Sequence, residues 1–107
     1  MPKNSSKKPI TSFREEVYKI TRTIPVGKTL NYKDVARLAG HPRAARAVGN
    51  ALNKNIDPKT PCHRVIRSDG SVGGFRYGSK QKTHLLKNEG MVVKNRRVVF
   101  LKNKYWE

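Results

Sequence analysis

The sequence predicts an α+β domain, mostly helical, of helix-turn-helix or winged-helix type with small β-hairpins. Three observations carry that expectation. Apolar residues recur at helical spacing in the first half; a short helix, a Gly-containing turn and an Ala- and Arg-rich second helix succeed one another before residue 54; and β-branched runs flank turn residues in the second half. At 107 residues the chain is the size of one domain with a single modest core, with no room for a separate cofactor domain.

Residues 1–9 (MPKNSSKKP) carry three lysines and end in proline, so they are expected to be a mobile basic tail, with the folded domain over 10–107. From Ser12 the pattern changes. Ser12 and Glu15 make a capping box, and Phe13, Val17, Ile20 and Ile24 recur at helical spacing, predicting a helix over about 12–23 that Pro25 and Gly27 break. A second, short helix is expected from Asn31 or Tyr32, burying Val35, Leu38 and Ala39 before Gly40 stops it. After the Gly40-His41-Pro42 turn comes RAARAVGNALN, whose alanines at 44, 45, 47 and 51 allow close approach to another surface while Arg43 and Arg46 project from the helix. From this segment alone a DNA-facing helix and an ordinary solvated helical pair stand level.

KNIDPKTPC (54–62) holds two prolines, so Cys62 sits at the end of a rigid loop. HRVIRSDGSVGGF reads as a strand, an Asp69-Gly70 turn and a return strand, a small wing-like hairpin. A helix is expected from about Ser79 to Asn88 with Leu85 and Leu86 inward and Gly90 as its stop, and the terminal segment pairs two β-branched runs across Lys94-Asn95.

Lys and Arg number 24 against seven acidic residues, a formal charge of +17, and this favours a polyanionic partner, nucleic acid before all others. No apolar run approaches the length of a membrane span or signal-peptide core, which predicts a soluble intracellular protein, cytoplasmic (with the nucleoid) or nuclear, without membrane contact. One cysteine excludes an intramolecular disulfide, and one Cys with three His offers no paired zinc-ligand spacing, so no metal is expected.

Cys62 is therefore either an inert core thiol or a reactive one. Pro61-Cys62-His63-Arg64-Val65 sets a thiol beside an imidazole and a guanidinium on a proline-set turn. A thiolate is the nucleophile, so attack needs a lowered pKa or an adjacent base, and His63 is the obvious base. Neighbours in an extended stretch point opposite ways; His63 would then reach Cys62 through a bridging water, and a carboxylate would have to fix its tautomer. Glu89, at the end of an otherwise basic helix, is a candidate. Read blandly, the three are a buried thiol, a surface imidazole and a helix-end acid beside Lys87.

PCHRV, preceded by NYKDVA and RAARAVGNAL and followed by GSVGGFRYG and LLKNEG, resembles the C-terminal DNA-binding and active-site domain of the O6-alkylguanine-DNA alkyltransferases, also called methylated-DNA-protein-cysteine methyltransferases. The five spaced motifs run in order over about residues 12–90. The resemblance implies stoichiometric, single-turnover repair: a monomer binds double-stranded DNA containing O6-alkylguanine, flips the nucleotide, and takes the alkyl group onto Cys62 without any cofactor. It implies that His63 acts on Cys62 through water, that Glu89 orients His63, and that Arg64 helps hold the turn and belongs with the DNA-binding set. Tyr32 would crowd the target's phosphate and meet the flipped base, Arg43 and Arg46 would face DNA, and Arg46 would fill the vacated stack. Asn55 would brace the loop, and Val65 would lend backbone to the guanine pocket.

Three features depart from the family pattern. Members usually carry a further N-terminal domain, whereas here the first motif starts near residue 12, as in the compact alkyltransferase-like proteins that bind the same lesions, replace the cysteine and flag damage for another pathway. NIDPKTPC is shorter than the family's apolar run and holds Asp57 and Lys59. Arg76 and Tyr77 stand at the pocket lip where many members have small residues, so access should be narrower and methyl accepted better than benzyl. A non-catalytic lesion sensor that recruits another pathway, and a basic architectural DNA-binding protein with an idle cysteine, are the alternative readings; a nucleophile between Pro61 and His63 speaks for the enzyme.

Overall fold

The structure is a computed structural model that describes residues 10–99. The expected basic tail at 1–9 and the end of the terminal hairpin beyond 99 lie outside the described residues, as does the Ser12 side chain with its capping box. Among the described residues, four helices, one 3₁₀ turn and two small strand pairs make the mostly helical α+β fold that the pattern predicts.

Helix α1 (Ile10–Arg22) begins two residues earlier and ends one earlier than the sequence suggests. Pro25 disfavours helical backbone at Ile24. Val17 and Ile24 are buried in the core formed with α2 and α3, and Phe13 and Ile20 pack at its edge. Strand β1 (Leu30–Asn31) leads directly into α2 (Tyr32–Leu38), where the Asn31 side chain accepts the backbone N–H of Asp34 at 2.8 Å, an N-cap contributing about 1 kcal/mol. The face of α2 differs from the expected one. Val35 and Ala36 are buried, Ala39 packs at the rim, and Leu38 is 48% exposed, because seven residues make only two turns and Leu38 falls on the outer side. Gly40, at φ +86°, ends the helix: its N–H reaches Arg37 and that of His41 reaches Ala36.

Helix α3 (Ala45–Asn53) buries Val48, Ala51 and Leu52 against α1 and α2. Arg43 is not on it as expected; it stands exposed in the preceding turn, closed by the Ala44 N–H to His41 carbonyl bond. A loop then delivers one 3₁₀ turn (Cys62–Arg64) and strand β2 (Val65–Ile66).

The expected wing hairpin is replaced by a different pairing. Strand β2 pairs in parallel with β1, Leu30 beside Val65 and Asn31 beside Ile66. The Asp69-Gly70 turn does form, with the Arg67 N–H to Ser71 carbonyl bond, but the returning residues bridge to the last hairpin through Ser71 and Arg97. Strand β1 already occupies the edge of β2.

Helix α4 (Ser79–Asn88) buries Leu86 in a second apolar cluster with Ile66, Val72, Met91, Val93 and Val98. Gly90, at φ +91°, closes it as expected, with Glu89 as the last half-helical residue. Strands β3 (Val92–Lys94) and β4 (Arg97–Val99) form the terminal hairpin, whose turn is Asn95-Arg96, one residue later than the sequence suggests. Both turn residues have positive φ, 52° and 62°, the backbone whose twist matches that of a tight hairpin.

Candidate active site

The parallel β1–β2 pair joins the two halves of the site: one end of it carries Tyr32 and the other follows the thiol turn. Residues 55–61 are held by short-range bonds. Asn55 Nδ2 donates to the Asp57 carbonyl at 2.9 Å, Asn55 Oδ1 accepts the Asp57 N–H at 3.2 Å, and Asp57 Oδ1 accepts the Lys59 N–H at 2.9 Å. From α1, Arg22 donates to Thr60 Oγ1 at 3.0 Å and to Asp57 Oδ2 at 3.2 Å. The shorter, polar segment before the cysteine is thus closed by its own Asp57.

This loop places Cys62 Sγ where Asn55 Nδ2 donates to it at 3.3 Å and the thiol donates to the Leu52 carbonyl at 3.7 Å. Burial pushes the Cys62 pKa up, with the Asn55 bond and the nearby Lys82 pulling the other way, so at neutral pH the sulfur is a thiol that needs a base.

His63 Nε2 lies 2.8 Å from Glu89 Oε2. A carboxylate only accepts, so it holds a neutral ring's proton on Nε2 and leaves Nδ1 as the basic nitrogen. Burial depresses the His63 pKa, outweighing the raising effect of Glu89, and the imidazole is neutral in the physiological range. Burial also raises the Glu89 carboxyl, but bonds from Arg64 and His63 outweigh it and its net shift is downward.

Arg64 grips both oxygens of Glu89, from Nε at 2.9 Å and from Nη2 at 2.8 Å, and its Nη1 donates to the Ile24 carbonyl at 2.7 Å. Its side chain is 13% exposed. The expected turn-holding role fits this geometry. A direct phosphate contact does not, since every arm of the guanidinium faces inward. This grip also explains how a carboxylate survives at a helix C-terminus, where the dipole disfavours it.

Two cavities share Leu52, Cys62 and Phe75 as a common wall. The smaller, about 380 Å³, is lined by Tyr32, Arg46, Gly49 and Arg67; the larger, about 760 Å³, by Asn55, His63, Arg76 and Tyr77 among others. Arg76 and Tyr77 therefore do line the space beside the thiol, as expected of the pocket lip. Arg76 is drawn aside to the Asn53 carbonyl at 3.0 Å and Tyr77, against the Phe75 edge, is 64% exposed. Arg46 is exposed at the start of α3 beside the smaller cavity, and Val65 is wholly buried in β2, its N–H bonded to the Cys62 carbonyl.

Arg67 and Phe75 of the cavity walls escaped the sequence reading, and so did Lys82. Lys82, on α4, is fully buried and donates to the Tyr32 hydroxyl and the Gly74 carbonyl, each at 3.1 Å. Burial lowers its pKa to about 7, with the Arg67 charge adding to that and Cys62 opposing it. Lys82 shares a helix face with Leu85 and Leu86, so a lysine at the i−3 and i−4 position of an inward pair was the available signal. Tyr32 itself is held neutral by burial, which raises its pKa against the lowering effect of Arg67. Gly73, at φ +75°, lets backbone pass against Tyr32: a Cβ there would sit 3.2 Å from the hydroxyl oxygen.

Residues 12–91 match the family model described as the DNA-binding domain of 6-O-methylguanine DNA methyltransferase. A methylated-DNA-protein-cysteine methyltransferase of Kluyveromyces lactis is 46% identical over 80 residues, which are 74% of this chain and 42% of that protein. Among solved structures, Mycobacterium tuberculosis OGT in complex with DNA aligns with a TM-score of 0.71 at 40% identity, covering 78% of this chain and 51% of that one. S. pombe Atl1, in complex with damaged DNA containing O6-carboxymethylguanine, aligns with a TM-score of 0.80 at 28% identity, covering 94% of this chain and 99% of that one. The chain spans less than half the length of the Kluyveromyces lactis relative. A family model that covers most of the chain, over the residues that build the thiol site, places this chain in the 6-O-methylguanine DNA methyltransferase DNA-binding-domain family.

Proposed function

We propose that this chain repairs duplex DNA directly, taking the alkyl group from O6 of a flipped guanine onto Cys62 and acting once per molecule. The observation that carries this reading is Cys62 itself: a free thiol, braced by Asn55, on the wall shared by both cavities and next to a neutral imidazole whose tautomer Glu89 sets. The thiol proton passes to His63 Nδ1 through a bridging water. Sulfur attacks the alkyl carbon, the S–C bond forms as the C–O6 bond breaks, and the electron pair leaves with the guanine. Tyr32, whose hydroxyl already accepts from Lys82, donates its proton to the departing base, and the lysine stabilises the resulting phenolate. The thioether has nothing beside it to hydrolyse it, so the reaction is stoichiometric and uses no metal or organic cofactor.

The target atom lies inside a duplex, so the nucleotide must be extruded at a cost of a few kcal/mol, offset by a wedge and by phosphate contacts. Arg46, exposed beside the smaller cavity, is the wedge, and Arg43 contacts the backbone from the turn before α3. The protein works as a monomer wherever chromosomal DNA is kept, in the cytoplasm with the nucleoid or in the nucleus, and not at a membrane.

Intact-mass spectrometry after mixing with excess duplex carrying one O6-methylguanine tests this. The expected result is a gain of one methyl group, absent in Cys62→Ala. The match to nearly the whole of Atl1 favours a second reading, a lesion sensor without transfer. An unchanged mass with tight lesion binding would establish that one.

A further inference from the structure

We propose that the β3–β4 hairpin is a second DNA-contacting element, gripping phosphates beside the strand engaged by α3; this rests on the DNA-repair reading above. Arg67 lines the smaller cavity together with Arg46, and its own N–H is bonded to the Ser71 carbonyl. Ser71 bridges to Arg97, and the Val72 N–H donates to the Arg96 carbonyl at 2.9 Å. A continuous path of backbone bonds therefore runs from the cavity mouth to the hairpin tip, and exposed cations stand along it: Arg67, then Arg96 and Arg97, with Lys94 behind.

Little offsets these charges. Between residues 65 and 99 there are two carboxylates. Glu89 is consumed by Arg64 and His63, and Asp69, which accepts from the Ser71 N–H and hydroxyl, meets the Arg97 guanidinium at 3.9 Å with both side chains more than half exposed, while Arg97 Nη1 donates to the Asp69 carbonyl at 2.7 Å. Like charges clustered on a surface repel one another, and a polyanion relieves that repulsion.

The turn itself supplies an independent reason. A hairpin turn with positive φ at both central residues favours Asn followed by Gly. Asn95 fits, but Arg96 holds φ +62°, a backbone that a β-carbon disfavours. Local stability argues for glycine at the tip; the arginine there adds nothing to the hairpin except a guanidinium facing outward.

Because glycine suits this turn, Arg96→Gly removes the charge without damaging the fold. The test pairs Arg96→Gly with Lys94→Gln and follows binding to an undamaged duplex and to one carrying O6-methylguanine across a salt series. Loss of two phosphate contacts should reduce the slope of log K against log salt by roughly 2 and weaken binding at moderate salt by roughly tenfold, equally for both duplexes. Thermal stability should stay level or rise, and the single-turnover methyl transfer rate at saturating DNA should be unchanged. A double variant with the parent's slope and affinity would overturn the proposal even if the parent transfers methyl groups. Conversely, a parent that transfers nothing but loses salt dependence on substitution would sink the repair reading and leave the hairpin's DNA contact standing.

Discussion

Lys82 Nζ stands 3.1 Å from the Tyr32 hydroxyl, and the lysine that reaches it is sealed from solvent. Its pKa falls to about 7 in the fold from the usual 10.5. The unfolded chain thus binds more protons than the folded one between those values, and the lysine's effect is to make stability rise with pH through that window. Lys82→Met should remove this dependence. The difference in unfolding free energy between parent and variant, measured by denaturant from pH 6.5 to 9, should move in the parent's favour by up to about 2.5 kcal/mol as pH rises. Taking a difference matters, because the raised Cys62 and Tyr32 act in the opposite direction at the alkaline end. A flat difference would show that Lys82 keeps its proton in the fold.

Glu89→Gln should be felt twice. It leaves the inward-facing Arg64 without a counter-charge, costing roughly 3 kcal/mol of stability by chemical denaturation. It also frees the His63 tautomer, and single-turnover transfer should slow by about 100-fold or more. Glu89 lies below its ordinary pKa, so the stability it contributes is complete above the usual carboxylate range and is lost as pH falls from there through the lower folded value.

On the acid side the transfer rate of the parent should decline only at a pH below the ordinary imidazole value, since burial keeps His63 unprotonated. Rapid-quench kinetics from pH 5 to 8 would read this directly. A decline centred above pH 7 would place the essential base elsewhere.

Asp57→Ala should separate loop order from fold stability. Its pair with Arg22 is nearly half exposed on both sides and contributes roughly 0.2–1 kcal/mol, so the melting temperature should barely move. Yet the same carboxylate holds the Lys59 N–H beside the segment that Asn55 braces, and transfer should slow several-fold with lesion affinity retained.

The chemistry of this site was more legible than its architecture. Cys62, His63 and Glu89 stand out in the sequence and Asn55 follows from the resemblance, and the structure holds them as two bonded pairs, Asn55 with Cys62 and His63 with Glu89. The wing hairpin was misread because turn residues and β-branched runs report only local tendencies. The partner that β2 takes, Leu30–Asn31, lies far back along the chain and leaves no periodic trace. Leu38 and Arg43 were misplaced by a fraction of a helical turn and by two residues at a helix start, distances that apolar spacing does not resolve. Lys82 was hidden by its own chemistry: a lysine is read as surface until a phenol and a carbonyl are found waiting inside.

The two-residue seam between β1 and β2 also governs how the molecule comes into being. Everything N-terminal to the thiol loop can form its helices by local contacts, but Leu30 and Asn31 have no edge partner until Val65 and Ile66 arrive. A nascent chain that has not yet exposed residue 66 holds a basic helical hairpin with an unfinished edge and no nucleophile in place. Closing that long loop is the slow, entropically costly event of assembly. The thiol turn is therefore fixed against β1 only after residue 66 has been added, and the His63–Glu89 bond can form only once α4 has followed it.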